Sequence, residues 1–401
     1  MSYGTQPTLV QNATLLGYDG LQQISIGSAG QISKIWPAAG PPKATATAET
    51  VIDVEGDIVS LGGVDLQING ALGLPFPELT SDHGDTLSKI CRYLWAEGVD
   101  AFLPTVVTTS IDNIHRALAA IRAYSQQPSQ SSAAQIMGVH LEGPFLNAAK
   151  RGAHPKAHLR PLTIPQIHEV LGDYGDVVKL ITLAPELDPT GTVIPYLRSQ
   201  GIVVSLGHSL ATASEAQAAY DQGATMVTHA FNAMPPLHHR QPGLLGAALT
   251  APGVACGLIA DGRHICPTML DLLLRAARGG PSEQRNAQSS ALTQALFLVS
   301  DALSPLGLPD GRYPWDTREI EVTDGTARLT DGTLAGTTRG LLAGVENLVV
   351  WGLCTPEEAI ALATVAPRQA VGISLLAVGQ QASLLRWRYD PFKGQLKAQR
   401  L

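Results

Sequence analysis

Histidines at positions 208 and 229 each close a short apolar run, GIVVSLGH (201–208) and ATMVTHAF (224–231), and each run then turns polar or turn-forming. Two imidazoles set at the ends of neighbouring strands can share one cation, because neutral imidazole nitrogen is a favoured ligand of zinc and related divalent ions. Other runs end in the acids that such a centre needs: Asp65-Leu66-Gln67-Ile68-Asn69, His140-Leu141-Glu142-Gly143-Pro144, Ala260-Asp261-Gly262-Arg263-His264 and Val299-Ser300-Asp301-Ala302. One carboxylate with two imidazoles leaves a fourth position for water, the mark of a catalytic rather than a structural site. Asp301 is suited to take a proton from that water and return it to a leaving group, or else to cap the turn that follows it. His264 can polarise a substrate carbonyl or cap a helix beginning near Pro267, and Asp261 is read as structural.

Residues this far apart in sequence converge only if strand ends meet. From Ile58 onward, apolar strand-like runs alternate with amphipathic helical stretches, which predicts a parallel α/β architecture. Eight runs are candidate strands: IVSLGGVDLQI, VDAFLPTVV, IMGVHLE, VVKLITLAP, GIVVSLGH, ATMVTHAF, VACGLIAD and ALFLVSDA. Eight βα units close a (β/α)8 TIM-type barrel, whose active-site face lies at the carboxyl ends of the strands. Helical periods include TLSKICRYLWAEG, SIDNIHRALAAIRAYSQ, TIPQIHEVLGDYG, SEAQAAYDQG, CPTMLDLLLRAARGG and TRGLLAGVENLVVWG. In TPEEAIALATVAPRQAVG, Thr355 stands as N-cap and Pro356 at the first helical position. Residues 1–57 break into the short β pieces TLVQNATLL, LQQISIG, QISKIWP and TVIDVEGDIV, and residues 370–401 contain the strand-like QASLLRWRYD. These terminal segments are expected to form one small β-sandwich domain beside a hydrolase barrel of residues 58–369. PPKATATAET, SQQPSQSSAAQ and GPSEQRNAQSSA are expected to be loops.

Composition limits the function classes. The chain has 401 residues, enough for a barrel of about 250 residues with insertions and a companion domain. A formal net charge of −7 argues against a general nucleic-acid surface, which needs clustered Lys and Arg, but leaves room for a local anion pocket. No apolar run reaches the roughly 18 to 20 residues that span a bilayer, and MSYGTQPTLVQNAT lacks a basic region followed by an apolar one, so a cytoplasmic location is expected. Cys91, Cys256, Cys266 and Cys354 form no CxxC pair and suggest idle thiols rather than a disulfide framework.

Taken together, GGVDLQINGALG, GVHLEGPFLNAAKRGAH, SLGHS, THAFNAMPPLHHRQPGLLGAAL, LIADGRHI, LVSDA and GTLAGTTRGLLAGVENLV resemble the amidohydrolase superfamily, most closely its N-acetylglucosamine-6-phosphate deacetylases. HLEGPF and THxFNAM are the specific signals. The resemblance implies Glu142, His208 and His229 as metal ligands, Asp301 as general base and acid, and His264 as a partner of the metal in polarising the acetamide carbonyl. It implies His154, Asn232, the backbone of Ala233, His264 and Arg240 as substrate-binding groups, with Arg240 acting in its own subunit or across a contact in a homodimer or higher homo-oligomer. An Arg fork suits a phosphate because it makes paired charge-assisted hydrogen bonds.

Many superfamily members carry His-x-His at the end of the first strand and bind two metals. Gln67 and Asn69 stand at those positions here, as possible substitutes at the second-metal position. Amides are poor zinc ligands beside imidazole or carboxylate, so one divalent ion is expected, zinc first, with iron, manganese and cobalt served by the same ligands. The C-terminal VGQQASLLRW also departs from the acidic GxxADLV-type segment common in the superfamily. The implied substrate is a small amino-sugar phosphate, with neither nucleic acid nor membrane as partner. A cyclic-amide hydrolase of the dihydroorotase or allantoinase kind is the alternative enzyme, disfavoured because no Lys occupies the Glu142 position. The non-enzymatic alternative is a sugar-phosphate-binding relative that kept the fold.

Overall fold

The computed structural model describes residues 7–38, 50–128, 131–279 and 291–401. Eight parallel strands form its centre, here labelled β1 (Gly63–Ile68), β2 (Val99–Val107), β3 (Val139–Glu142), β4 (Val178–Leu183), β5 (Val203–Leu206), β6 (Met226–Val227), β7 (Ala255–Leu258) and β8 (Leu296–Leu298). They pair in chain order from β1 to β8. A parallel bridge between Ile68 and Ala302 brings the last strand's extension back to the first, with Asp301 N–H donating to the Gln67 carbonyl at 2.9 Å and Asn69 N–H to the Ala302 carbonyl at 2.7 Å. The TIM-type barrel expected from the alternating pattern is therefore present.

Strand alternation sorts the side chains into an outer and an inner set. Outward residues such as Phe102, Leu141, Ile181, Val204, Val227 and Leu298 join the layer packed under the helices. Inward residues at the amino ends, among them Val64, Leu66, Leu103, Leu180, Met226 and Phe297, fill the barrel with apolar volume. One layer higher the inward residues are polar and mutually bonded: Thr105 Oγ1 lies 3.3 Å from His140 Nδ1, His140 Nε2 2.7 Å from Thr182 Oγ1, and Thr228 Oγ1 2.6 Å from both Thr182 Oγ1 and Ser205 Oγ. Burial pushes the His140 imidazolium down to about 4, so a neutral ring sits in this belt. The belt leaves only the next inward positions, at the carboxyl ends, open to chemistry.

The expected helices form: Gly84–Ala96, Ile111–Ser125, Ile164–Leu171, Ala213–Asp221, Pro267–Arg278, Leu341–Val350 and Pro356–Ala370. Thr355 caps the last of these, its Oγ1 accepting from Glu358 N–H while the Glu358 carboxylate accepts from Thr355 N–H. Both the N- and C-terminal segments enter one seven-stranded sheet, in the order Gln395–Arg400, Leu384–Asp390, Ile58–Leu61, Thr8–Leu15, Leu21–Ile26, Ile32–Pro37, with Thr50–Asp53 alongside Thr8–Leu15. Ile58–Leu61, read in the sequence as the start of the first barrel strand, belongs to this sheet. The run divides at Gly62, where a Cβ would stand 2.2 Å from Asp100 Oδ1, and where Gly62 N–H donates to Asp100 Oδ2 at 2.7 Å. GPSEQRNAQSSA, apart from its last residue, and PPKATATAET, apart from its final Thr, lie outside the described residues, as does Ser129–Gln130 within SQQPSQSSAAQ.

No strand is expected between β8 and the helix at Leu341, yet an antiparallel four-stranded meander fills that interval: Gly311–Trp315, Arg318–Thr323, Thr326–Leu329 and Leu334–Thr337. Its signal was present in alternating polar and apolar residues and in Asp324-Gly325, whose positive φ values of 50° and 71° suit a two-residue hairpin. Among the described residues, no helix is long and apolar enough to cross a membrane.

Candidate active site

The carboxyl ends of β3, β5 and β6 bring three groups together. Glu142 Oε1 lies 3.0 Å from His208 Nε2 and 3.1 Å from His229 Nε2, and the two imidazole nitrogens are 3.0 Å apart. All three residues are buried. Gly207 is required beside His208, since a Cβ there would stand 2.9 Å from Thr228 Cβ and 3.0 Å from Thr182 Cγ2. His208, His229 and Asp301 all adopt positive φ, 49°, 29° and 48°, a conformation that non-glycine residues hold only where surrounding contacts impose it.

Proton placement shows what this cluster suits. His208 Nδ1 lies 2.9 Å from the Lys150 carbonyl, so the neutral ring donates from Nδ1 and presents a lone pair at Nε2. That lone pair faces a carboxylate oxygen and a second imidazole. Burial works against a charge on Glu142, but wherever the His208 and His229 nitrogens carry a proton toward it, as they can when no cation takes their lone pairs, they outweigh burial and hold its carboxyl well below the ordinary range. An ionised carboxylate and two imidazole nitrogens meeting in this way fit a divalent cation.

Asp301, at the end of β8, is buried beside this cluster. Its Oδ1 accepts from Asn69 Nδ2 at 2.7 Å and from Gln67 Nε2 at 3.2 Å, and Gln67 Nε2 also donates to Glu142 Oε1 at 3.1 Å. A shift in the β1 pairing register between Asp65 and Ile68 accompanies this placement, as β-bulges commonly do when they re-aim side chains. Burial first, and the Glu142 charge second, push the Asp301 carboxyl up to about 7. His264 is oriented by Asp261, whose Oδ2 lies 2.7 Å from Nδ1 and whose Oδ1 accepts from His264 N–H at 2.8 Å. Burial opposes ionisation of Asp261, yet its bonds to His264 prevail and lower its carboxyl.

A cavity of about 340 Å³ gathers Glu142, His208, His229, Asp301, His264, Asn69, His154, Asn232 and Ala233 along its walls. His154 is neutral near pH 7, because burial, and next the neighbouring His208, press its imidazolium down to about 3; its Nδ1 is 3.0 Å from Thr108 Oγ1. Gln67 supports the floor through Glu142 and Asp301. Arg240 lies elsewhere, exposed on the loop after Met234 and absent from the cavity wall.

Two contributors escaped the sequence reading. Lys150 is the one Lys or Arg among the described residues lining the cavity, with Nζ donating to the Met234 carbonyl at 3.1 Å. Trp315, Thr333, Leu334 and Ala335 of the meander line the same cavity. An Arg318 Nη2 bond of 2.7 Å to the Ala153 carbonyl ties the meander to the loop that carries His154. The KRGAH string displayed Lys150, but nothing in its spacing showed where the side chain would point.

A sequence profile of the amidohydrolase family matches residues 58–399. The chain belongs to the amidohydrolase family. Within it, the mouse N-acetylglucosamine-6-phosphate deacetylase is 40% identical over 330 residues, 80% of this chain and 76% of that protein. The N-acetylgalactosamine-6-phosphate deacetylase of Escherichia coli O157:H7 is 32% identical over 340 residues, covering 84% of this chain and 85% of its own. Among solved amidohydrolases, N-acetylglucosamine-6-phosphate deacetylase from Pasteurella multocida superposes with a TM-score of 0.81 at 28% identity over 97% of both chains. A mutant of the Mycobacterium smegmatis deacetylase in complex with N-acetyl-D-glucosamine-6-phosphate gives 0.81 at 26% identity, covering 98% of this chain and 97% of its own.

Proposed function

We propose that this amidohydrolase removes the acetyl group from N-acetyl-D-glucosamine 6-phosphate, releasing D-glucosamine 6-phosphate and acetate in amino-sugar catabolism and recycling. The observation that carries the reading is the mouse deacetylase's 40% identity across 80% of the chain. The convergence of Glu142, His208, His229, Asp301 and His264 on one cavity supports it. Lys150 on the cavity wall supports an anionic substrate, with Asn232 and the Ala233 backbone beside it to receive hydrogen bonds or donate them.

In this reading Glu142, His208 and His229 hold one divalent ion, zinc by preference for this donor set. When bound, the ion supplies Lewis acidity that polarises the amide carbonyl and acidifies water. Asp301 orients the attacking water and takes its proton onto the carboxylate, whose Oδ1 is steadied by Asn69 and Gln67. His264, held through Nδ1 by Asp261, turns its Nε2 edge toward the oxygen on which negative charge develops. Protonated Asp301 then passes its proton to the amine nitrogen as the C–N bond breaks, which restores the carboxylate. The protein works as a homodimer or higher homo-oligomer, and Arg240, exposed and off the cavity wall, reaches phosphate across the subunit contact.

The 32% identical galactosamine-series relative supports a second reading, in which the epimer at C4 is the preferred substrate. Acetate release from the N-acetyl 6-phosphates of glucosamine, galactosamine and mannosamine, measured on protein of known metal content, tests both. Fastest turnover of the gluco compound is expected. Fastest turnover of the galacto compound favours the second reading, and binding without turnover of any of the three would refute deacetylation.

A further inference from the structure

Glu186 follows β4, outside the cavity wall, yet it is bonded to both segments that fix His208. Its Oε1 accepts from Asn147 Nδ2 at 2.9 Å and from Leu210 N–H at 2.6 Å, while Oε2 accepts from Ser209 Oγ at 2.7 Å. Asn147 N–H in turn donates to the His208 carbonyl at 2.9 Å, and Lys150 N–H to the Asn147 carbonyl at 2.9 Å. The Lys150 carbonyl accepts His208 Nδ1–H, also at 2.9 Å. His208 is thus gripped at its ring by one segment, at its carbonyl by the same segment, and immediately downstream at Ser209 and Leu210. Beside those direct bonds, Glu186 ties the Asn147 side chain to Ser209 and Leu210.

We infer that Glu186 is a positioning residue for the metal centre: it holds His208 in its positive-φ backbone and so keeps Nε2 beside Glu142 and His229, where the three groups would hold the cation. The chemistry favours a carboxylate here, because all three groups facing it are donors and an ionised acceptor makes the stronger bonds. Partners of this kind orient metal ligands and, when removed, weaken metal affinity by about 10- to 100-fold. Glutamine can keep an oxygen toward Asn147 and Leu210 and turn its amide toward Ser209, whose hydroxyl accepts as well as donates. Alanine keeps none of these bonds. The inference rests on the assignment of His208 as a ligand.

Zinc affinity of the full chain, measured by competition with a chromophoric chelator, tests it. Glu186→Ala should raise the zinc dissociation constant about 10- to 100-fold, and Glu186→Gln should stay within a few-fold of native. The control is Glu215→Ala, which breaks the capping box of the helix that begins just after this loop without a bond to the clamp; it should leave zinc affinity unchanged. Should Glu186→Ala fail to fold, Asn147→Ala severs one arm of the clamp and should still weaken zinc binding. Native-like zinc affinity in a folded Glu186→Ala protein overturns the inference while leaving the ligand set intact. Absence of zinc binding in the native chain overturns both, and a zinc-binding chain that releases no acetate removes the proposed activity alone.

Discussion

Asp301→Asn separates catalysis from stability at one buried site. The substitution keeps the shape of the side chain and an oxygen for the Asn69 and Gln67 N–H groups, but removes the carboxyl that the proposed function assigns to take up and return a proton. Loss of a general acid and base costs about 10²- to 10⁴-fold in rate, or ~3–5 kcal/mol of barrier, and acetate release by the metal-loaded protein should fall accordingly. Stability should move the other way in the metal-free protein. The folded carboxyl titrates at about 7 against an ordinary 3.8, so below 3.8 it is neutral in both states and carries no penalty. As pH rises from 3.8 to about 7 the unfolded chain ionises first, and the native state progressively loses stability. The gap between the two values corresponds to on the order of 4 kcal/mol above about pH 7. Asparagine is neutral throughout, so metal-free Asp301→Asn should resist urea better than native protein near pH 8 and differ little near pH 4. A bound cation favours the ionised form and should shrink the gain. Turnover within about tenfold of native in a folded, metal-loaded variant would refute the acid and base assignment.

Lys150→Met removes the cation from the cavity wall but retains the backbone carbonyl that accepts His208 Nδ1–H. KM for the 6-phosphate should rise about 10- to 100-fold, the value of a charge-assisted hydrogen bond, with little change in kcat; equal losses on unphosphorylated N-acetylglucosamine would sink the phosphate role. Far from the metal, Asp100 near the start of β2 is bonded to Arg368 at 3.1 Å and Arg400 at 2.6 Å, all three largely buried. Asp100→Ala leaves both guanidinium groups uncompensated and should cost about 3–5 kcal/mol in urea unfolding, without lowering zinc content in the protein that remains folded.

The barrel was legible because its strands write their two faces into the sequence. In VDAFLPTVV the alternation of Ala101 and Leu103 with Phe102 and Val106 separates the barrel interior from the helical layer. The polar residues that end the runs, Glu142, His208, His229 and Asp301, stand out against that pattern. Less legible were features fixed by contacts between distant segments. The break at Gly62 depends on Asp100, and the role of Trp315 depends on how the whole meander docks over the cavity. Asp324-Gly325 announced a hairpin without saying what it would cover. Glu186 sits in an ordinary LAPE string, and only the spatial meeting of Asn147 with Ser209 and Leu210 shows what its carboxylate holds. Arg240 shows the converse, a residue singled out by resemblance whose position in one chain is solvent-facing.

Gln67 and Asn69 link Asp301 to the Glu142 cluster. Both amides face carboxylates: Gln67 Nε2 approaches Glu142 and Asp301, and Asn69 Nδ2 approaches Asp301. The orientation is chemically determined, since turning either amide over would set its oxygen against an anionic oxygen. At the first-strand positions where an imidazole pair would offer lone pairs to a second cation, this chain therefore offers N–H donors. Those donors do part of what a cation would do, steadying Asp301 and Glu142 with partial positive charge, without drawing electron density from them as a metal ion does. Burial and the Glu142 charge, working against the Asn69 bond, leave Asp301 enough basicity to accept a proton near neutral pH, whereas a second cation on its oxygen would suppress that basicity. In the proposed function, one ion with an amide-supported base would be a coherent arrangement for amide hydrolysis, with the Gln-x-Asn sequence as part of it.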